Sequence, residues 1–160
     1  MYALTVTVHL LATLFWLGGT FFLGIVGAPA LRGLEPALRS RLFKDIGVRF
    51  RKFGWVAIII LIITGAMNLN FRGLLGPAFR GGGDFWLTSF GKILAWKLGL
   101  VTVMITLAAL HDFWLGPLSG RLPVGSAEQL RVRRSVAWMG RVNAVLGVLL
   151  VYVATRLVRG

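Results

Sequence analysis

Four long apolar runs constrain this chain more than any other feature of its sequence. Each run holds about 20 mostly apolar residues, the length an α-helix needs to cross the roughly 30 Å hydrocarbon core of a bilayer. Backbone polar groups inside lipid must pair within their own segment, so the runs are predicted to be helices. The predicted spans cover about residues 3–29, 53–70, 93–115 and 142–158.

The composition indicates the same class of protein. Of the 160 residues, 57% are hydrophobic and 14% are charged, whereas soluble domains carry about 25% charged residues. We therefore predict an all-α, polytopic integral membrane protein: one domain over residues 1–160, folded as an antiparallel four-helix bundle. The chain has no cysteine, which excludes disulfides, thiolate metal sites and thioether attachment of haem.

The net charge of +13 comes from Lys and Arg residues that lie mainly between the apolar runs. This pattern indicates membrane topology and contact with anionic lipid headgroups, and no nucleic-acid partner is predicted. Residues 30–52 and 116–141 hold twelve basic residues, against five at the opposite ends of the spans. Basic loops stay in the cytoplasm. Both termini are therefore predicted to face the outer, periplasmic side of the cell inner membrane.

One titratable side chain interrupts the first apolar run. His9 lies about six residues into span 1, roughly 9 Å deep, and Lys97 lies about four residues into span 3, roughly 6 Å deep. Because both spans are predicted to start outside, the two side chains are expected to share one outer-leaflet cavity. His9 would bind a haem iron or a metal ion, and Lys97 would neutralise an anionic group. The alternatives are a helix–helix hydrogen bond for His9 and snorkelling to the headgroups for Lys97.

Three residues near His9 are further candidates for binding a cofactor or a metal ion. Thr13 and Trp16 follow His9 at helical spacing, so they share its face and are predicted to line a bound cofactor. Met67 lies at the outer end of span 2 and is a weaker candidate metal ligand. Ordinary core packing is the alternative for Met67.

A second candidate site is formed by His111 and Asp112, roughly 27 Å from the outer face. The alternative is that Asp112 simply pairs with a loop arginine. The vertical gap between His9 and His111 is on the order of 20 Å, whereas two axial ligands of one haem each lie about 2 Å from the metal. One haem held by both histidines is therefore not expected. No phosphate-binding loop, catalytic triad or internal repeat is evident, and no catalytic residue is predicted.

Five segments in and beside the apolar runs resemble those of a known protein family. They are HLLATLFWLGG, GAPALR, FGWVAIIILIITGAMNL, ILAWKLGLVTVMITLAALHDF and RRSVAWMGRVNAVLGVLLVYVA. Together they resemble the small four-helix membrane proteins of the copper resistance protein D (CopD) family and, more distantly, the HemJ-type protoporphyrinogen oxidases. HemJ-type proteins place a functional histidine on the first helix and a lysine on the third, and bind haem. By position, the resemblance implies these roles for His9 and Lys97.

Three functions follow as hypotheses. The first is a membrane protein that binds haem b or a metal ion near its outer face. The second is a non-catalytic accessory subunit of a larger respiratory or photosynthetic membrane complex, with other membrane subunits or a second copy as partners. The third is copper transport across the inner membrane, which the resemblance to CopD implies.

Overall fold

The computed structural model describes residues 1–81, 83–123 and 125–159. Across these ranges the regular structure is helical and contains no strand. The chain divides into two compact units, Met1–Gly83 and Asp84–Gly160. The expectation of one domain over the whole chain stays a prediction.

The first unit is built on two long helices joined by a short turn. The second of them is followed by a short helix. The elements in chain order are α1 (Tyr2–Phe22), a π-helical segment (Leu23–Gly27), α2 (Ala28–Ala30), a 3-10 turn (Leu31–Gly33), α3 (Pro36–Phe71) and α4 (Leu75–Arg80).

The second unit begins with a short helix and then repeats the same plan. Thr88 caps the first long helix of this unit, because its hydroxyl accepts a hydrogen bond from the Gly91 amide at 3.0 Å. The elements are α5 (Asp84–Leu87), α6 (Ser89–Ala109), a π-helical segment (Leu110–Leu115), α7 (Gly116–Arg121) and α8 (Ala127–Arg159).

The order of elements thus repeats, although no internal repeat was evident in the sequence. Each unit runs from a long helix through a π-helical segment and a proline to a turn and a second long helix. The prolines are Pro29 and Pro117. A proline cannot donate to the carbonyl four residues earlier, and the widened π-helical turn lies where that bond is missing. The repeat escaped detection because it consists of backbone geometry and proline position rather than of similar side chains.

Four helical stretches are long and apolar enough to cross a membrane, which confirms the predicted number of spans. They are Tyr2–Gly33, Pro36–Phe71, Ser89–Arg121 and Ala127–Leu157. Each is longer than its apolar run. The basic stretches that were predicted as loops are therefore largely helical, because Arg, Lys, Leu and Ala are good helix formers. Hydropathy predicts where a helix leaves the hydrocarbon, whereas helix propensity allows the same helix to continue beyond that point.

The core of the first unit is the contact between α1 and α3. Trp16 is buried and packs against Gly54, where a Cβ would lie 3.6 Å from Trp16 Cδ1. Farther along α1, a Cβ at Gly19 would overlap the ring of Phe50. Small residues let helices approach closely in lipid. Later residues of α1 therefore meet earlier residues of α3, and the two helices run in opposite directions.

In the second unit, a side-chain network holds the turn before α8. Ser126 Oγ accepts from the Gln129 amide at 3.1 Å, as an N-cap residue does. The buried Gln129 side chain accepts from the Gly125 amide and donates to the Ser119 carbonyl, at 2.9 and 3.2 Å. Gln129 therefore ties α7 to the start of α8. Met104, with 1% of its surface exposed, is buried on α6.

The close contact at Gly54 gives a test of this packing. Gly54→Leu should lower the free energy of unfolding by about 1–3 kcal/mol, because a larger side chain must displace the Trp16 ring. Gly47→Leu on the same helix is the matched control, since a Cβ there meets nothing within 4 Å. Thermal unfolding in detergent, followed by circular dichroism, measures both. Equal melting temperatures for the two variants would contradict the packing described here.

Candidate functional site

The imidazole of His9 is held by a hydroxyl from the facing helix. His9 Nδ1 lies 2.8 Å from Thr64 Oγ1, and Thr64 Oγ1 lies 2.6 Å from the carbonyl oxygen of Ile60. A carbonyl can only accept, so the single hydroxyl hydrogen of Thr64 points to Ile60. The hydroxyl oxygen then accepts from His9 Nδ1–H. This assigns the neutral ring the tautomer in which Nε2 is the acceptor nitrogen.

The level of this pair follows from the helix ends. His9 is seven residues after Tyr2, the first residue of α1, and Thr64 is seven residues before Phe71, the last of α3. At 1.5 Å per residue, both side chains lie about 10 Å from the same end of the helix pair. His9 is half-buried and Thr64 is buried. The depth of His9 below the outer membrane face stays a prediction.

A glycine leaves room beside the ring. A Cβ at Gly65 would lie 3.6 Å from His9 Cε1, the ring carbon between the two nitrogens. The backbone of Gly65 therefore lies close to the Cε1 edge of the imidazole. A side chain larger than that of alanine at this position would press on that edge.

A second polar pair lies one turn closer to the helix ends. The buried Thr5 hydroxyl is 2.6 Å from Asn68 Oδ1 and 2.8 Å from the Tyr2 carbonyl. The two pairs form a polar seam between α1 and α3 that consists of Thr5, His9, Thr64 and Asn68. Apart from the seam, the α1–α3 contact is made of apolar and small side chains such as Ala12, Ala57 and Ile58.

Sequence reasoning named His9 but missed Thr64 and Gly65. The only signal was that the two residues interrupt the apolar run of span 2. A threonine hydroxyl in a helix can bond to its own backbone, so a threonine in an apolar run does not by itself indicate a site. Thr64 does form that bond, to Ile60, and it accepts from His9 as well.

The structure places Thr13 and Trp16 in other contacts. The Thr13 hydroxyl donates to the His9 carbonyl of its own helix at 2.8 Å. Trp16 packs against Gly54, as described above. Their predicted role in lining a cofactor stays a prediction. Met67 lies one turn after Thr64 on α3 with 41% of its surface exposed, and its role as a metal ligand also stays a prediction.

Lys97 lies on α6 in the second unit and is half-buried. Across the described part of the chain, its ammonium has no hydrogen-bond or ion-pair partner. His9 and Lys97 belong to different units. Their expected shared cavity therefore stays a prediction.

His111 and Asp112 lie in the π-helical segment of the second unit. His111 Nδ1 is 2.8 Å from Asp112 Oδ1, and 39% and 20% of the two side chains are exposed. A carboxylate that accepts from Nδ1–H fixes the tautomer of a histidine, as Thr64 does for His9. Asp112 therefore bonds to its neighbour in sequence, and the use of the pair as a second site stays a prediction.

Within residues 1–81, 83–123 and 125–159, no group of three or more His, Asp or Glu side chains could hold a metal ion. Cysteine is absent from the sequence. A metal site closed by these residue types alone is therefore not formed in the described residues.

Comparisons with known proteins identify the family of this chain. An uncharacterized protein of Aquifex aeolicus (strain VF5) is 31% identical over 150 residues, which cover 93% of this chain and 90% of that protein. No solved structure matches. Residues 45–157 match the family described as copper resistance protein D. This region is well over half of the chain and includes Thr64 and Lys97, whereas His9 precedes it. The chain belongs to the copper resistance protein D (CopD) family and is a multi-pass membrane protein.

Proposed function

We propose that this CopD-family membrane protein binds a metal centre through His9, and that the centre is a haem b. The observation that carries the proposal is the hydrogen bond from His9 Nδ1–H to Thr64 Oγ1, at 2.8 Å. Histidines that bind metals commonly donate their other ring N–H to a neighbouring acceptor, which fixes the ring and selects the coordinating nitrogen. The Thr64 hydroxyl supplies such an acceptor, and Gly65 leaves room for the Cε1 edge of the ring.

The set of donor residues favours haem over a bare metal ion. A haem iron receives four nitrogen ligands from its own macrocycle and requires one axial ligand from the protein, commonly a histidine. A bare ion commonly requires several protein ligands, and the described residues contain no group of three or more His, Asp or Glu side chains that could supply them. His9 would hold the iron through Nε2. The group would supply redox or ligand-binding chemistry, while the chain provides the imidazole, its orientation and an apolar surround.

Lys97 is proposed to neutralise an acidic group of the bound haem. Two facts support this role. Lys97 is half-buried, its ammonium has no partner among the described residues, and an uncompensated charge inside a membrane is costly. The count of residues from the outer ends of spans 1 and 3 places it near the level of His9. The proposed topology has four antiparallel helices and both termini on the outer side of the inner membrane. Spans 1 and 3 then both start at the outer face, so His9 and Lys97 lie at a similar depth.

Copper binding or transport is the alternative that the family name favours. Soft thioether ligands suit Cu(I), and Met67 is exposed one turn from Thr64. The chain holds 4 methionines and no cysteine, a small inventory for a transport path. A copper ion at His9 would therefore require further ligands, and metal analysis separates it from haem.

An accessory role is the second candidate function, because the same hydrogen bond also joins two helices. Interhelical polar bonds in membranes contribute about 0.6 kcal/mol on average. In this alternative His9 stabilises the α1–α3 pair, and the chain assembles with other membrane subunits or a second copy. Its exposed apolar faces, with Leu4, Leu10 and Leu14 on α1, would meet lipid or those partners.

Replacing the proposed ligand is the first test. His9→Ala should remove a Soret band, and the shift of that band on reduction with dithionite, from protein purified in mild detergent. The matched control His111→Ala should keep both, because it removes the other histidine. Optical spectra and analysis for iron and copper are taken on the same samples. Wild-type protein with neither chromophore nor metal would overturn the proposal, and copper without haem would favour the alternative.

The hydrogen-bond acceptor is tested separately. Thr64→Val keeps the shape of the side chain but removes the oxygen that accepts from His9, so haem affinity should fall about 10–100-fold. Thr102→Val is the control, since that exposed hydroxyl bonds to the Leu98 carbonyl of its own helix at 2.9 Å. Titration of the apoprotein with haem gives both affinities. Equal affinities for the two variants would show that Thr64 does not orient the ligand.

The proposed topology is tested with single cysteines, which the chain allows because it has none of its own. Glu35→Cys, in the turn before α3, should escape a membrane-impermeant maleimide in intact cells with a permeabilised outer membrane. Phe79→Cys on α4, where 82% of the side chain is exposed, should react. The reverse pattern would contradict the proposed topology and move the level of His9 and Lys97 to the cytoplasmic side.

A further inference from the structure

An open groove of about 490 Å³ runs along the first unit between α1 and α3. Its α1 wall includes Phe15, Gly18 and Phe22, and its α3 wall includes Arg49, Phe50 and Phe53. The groove begins at Leu14, five residues beyond His9 along α1, which is roughly 8 Å along the helix axis. Its lining includes neither His9 nor Thr64, so the groove is separate from the proposed haem site.

Two adjacent glycines form the floor of the groove. At Gly19 the ring of Phe50 lies directly against the helix, and at Gly18 a Cβ would meet nothing within 4 Å. The rings of Phe15 and Phe50 lie 6.2 Å apart between centroids. The result is a concave apolar surface with room beside Gly18. A long, flexible apolar chain fits such a surface, and the volume lies in the usual range for ligand sites of about 300–1,000 Å³.

The charge of the groove comes from one residue. Arg49 is exposed and is the charged member of the lining set. It lies four residues before Phe53, where the apolar run of α3 begins, so it is about 6 Å along the axis from the predicted edge of the hydrocarbon. Among the residues described, no carboxylate pairs with Arg49. The guanidinium thus lies at the level of lipid headgroups, at one end of an apolar groove.

The surroundings of Arg49 strengthen the preference for an anion. Residues 36–53 carry six basic side chains and one acidic side chain, Asp45, one turn before Arg49. No ion pair joins Asp45 to Arg49, so the acidic residue reduces the local positive potential without occupying the guanidinium. A guanidinium binds phosphate through two parallel hydrogen bonds.

We infer that this groove is a binding site for one anionic phospholipid, with an acyl chain along Gly18 and the phosphodiester at Arg49. An acyl chain fits between the apolar walls of the groove, and the arginine at the headgroup level favours a lipid with an anionic headgroup. Basic side chains at an anionic membrane surface contribute about 1 kcal/mol each. Loss of Arg49 should therefore weaken phosphatidylglycerol binding about fivefold.

The headgroup contact is tested by native mass spectrometry of the full chain in mild detergent, titrated with phosphatidylglycerol or phosphatidylcholine. Wild-type protein should retain one phosphatidylglycerol in preference to phosphatidylcholine. Arg49→Gln should lose that preference, whereas Arg41→Gln, which removes an equal charge from α3 outside the groove, should keep it. Equal losses in the two variants would show diffuse attraction and overturn the site. Because Arg49 is exposed, its substitution leaves the packing of α1 on α3 intact.

The tail contact is tested by filling the groove. Gly18→Leu should reduce retention of both lipids at this site, and Gly47→Leu, where a Cβ also meets nothing within 4 Å, should not. Unchanged retention in Gly18→Leu would overturn the placement of the acyl chain. A change in oligomer mass in Gly18→Leu without a change in bound lipid would also overturn it, by showing that a second copy of the chain occupies the groove. Circular dichroism of each variant checks that the helices are intact, and the smaller Gly18→Ala serves if Gly18→Leu aggregates.

Discussion

The close approach of α1 and α3 underlies most of what the first unit contains. In lipid there is no hydrophobic force to bring helices together, so contact depends on small residues and on polar groups that bond across the interface. Gly54 and Gly19 admit the rings of Trp16 and Phe50, and this contact sets the distance between the two helices. At that distance the Thr64 hydroxyl reaches the His9 ring at 2.8 Å. The groove beside Gly18 lies on the same pair of helices.

The polar seam shows how an apolar environment determines the state of a histidine. An imidazole in water exchanges partners freely, whereas one in hydrocarbon must keep the partners that the fold provides. Thr64 has one hydrogen and gives it to Ile60. It can therefore only accept from His9, and the tautomer follows from a backbone carbonyl on another helix. The same bond serves a metal ligand and a helix contact equally well, which is why the proposed function and its structural alternative must be separated by measuring a bound group.

The candidate site was only half visible in the sequence. A histidine in an apolar run stands out by composition, and its distance from the helix end could be counted. Thr64 and Gly65 do not stand out, because Thr and Gly are common in membrane helices and acquire their roles here from a facing side chain. The roles of Trp16 and Thr13 illustrate the same limit. Sharing a helix face with His9 indicated a common lining, whereas their observed contacts are with Gly54 and with the backbone of α1.

The sequence by itself determined the class of the protein and the number of its spans. These features depend on hydropathy and length, which are local properties of the chain. The polar seam and the groove at Arg49 were decided by tertiary structure. They depend on which faces of separate helices meet, and on the small residues that set the distance between them. No single segment of the chain carries that information.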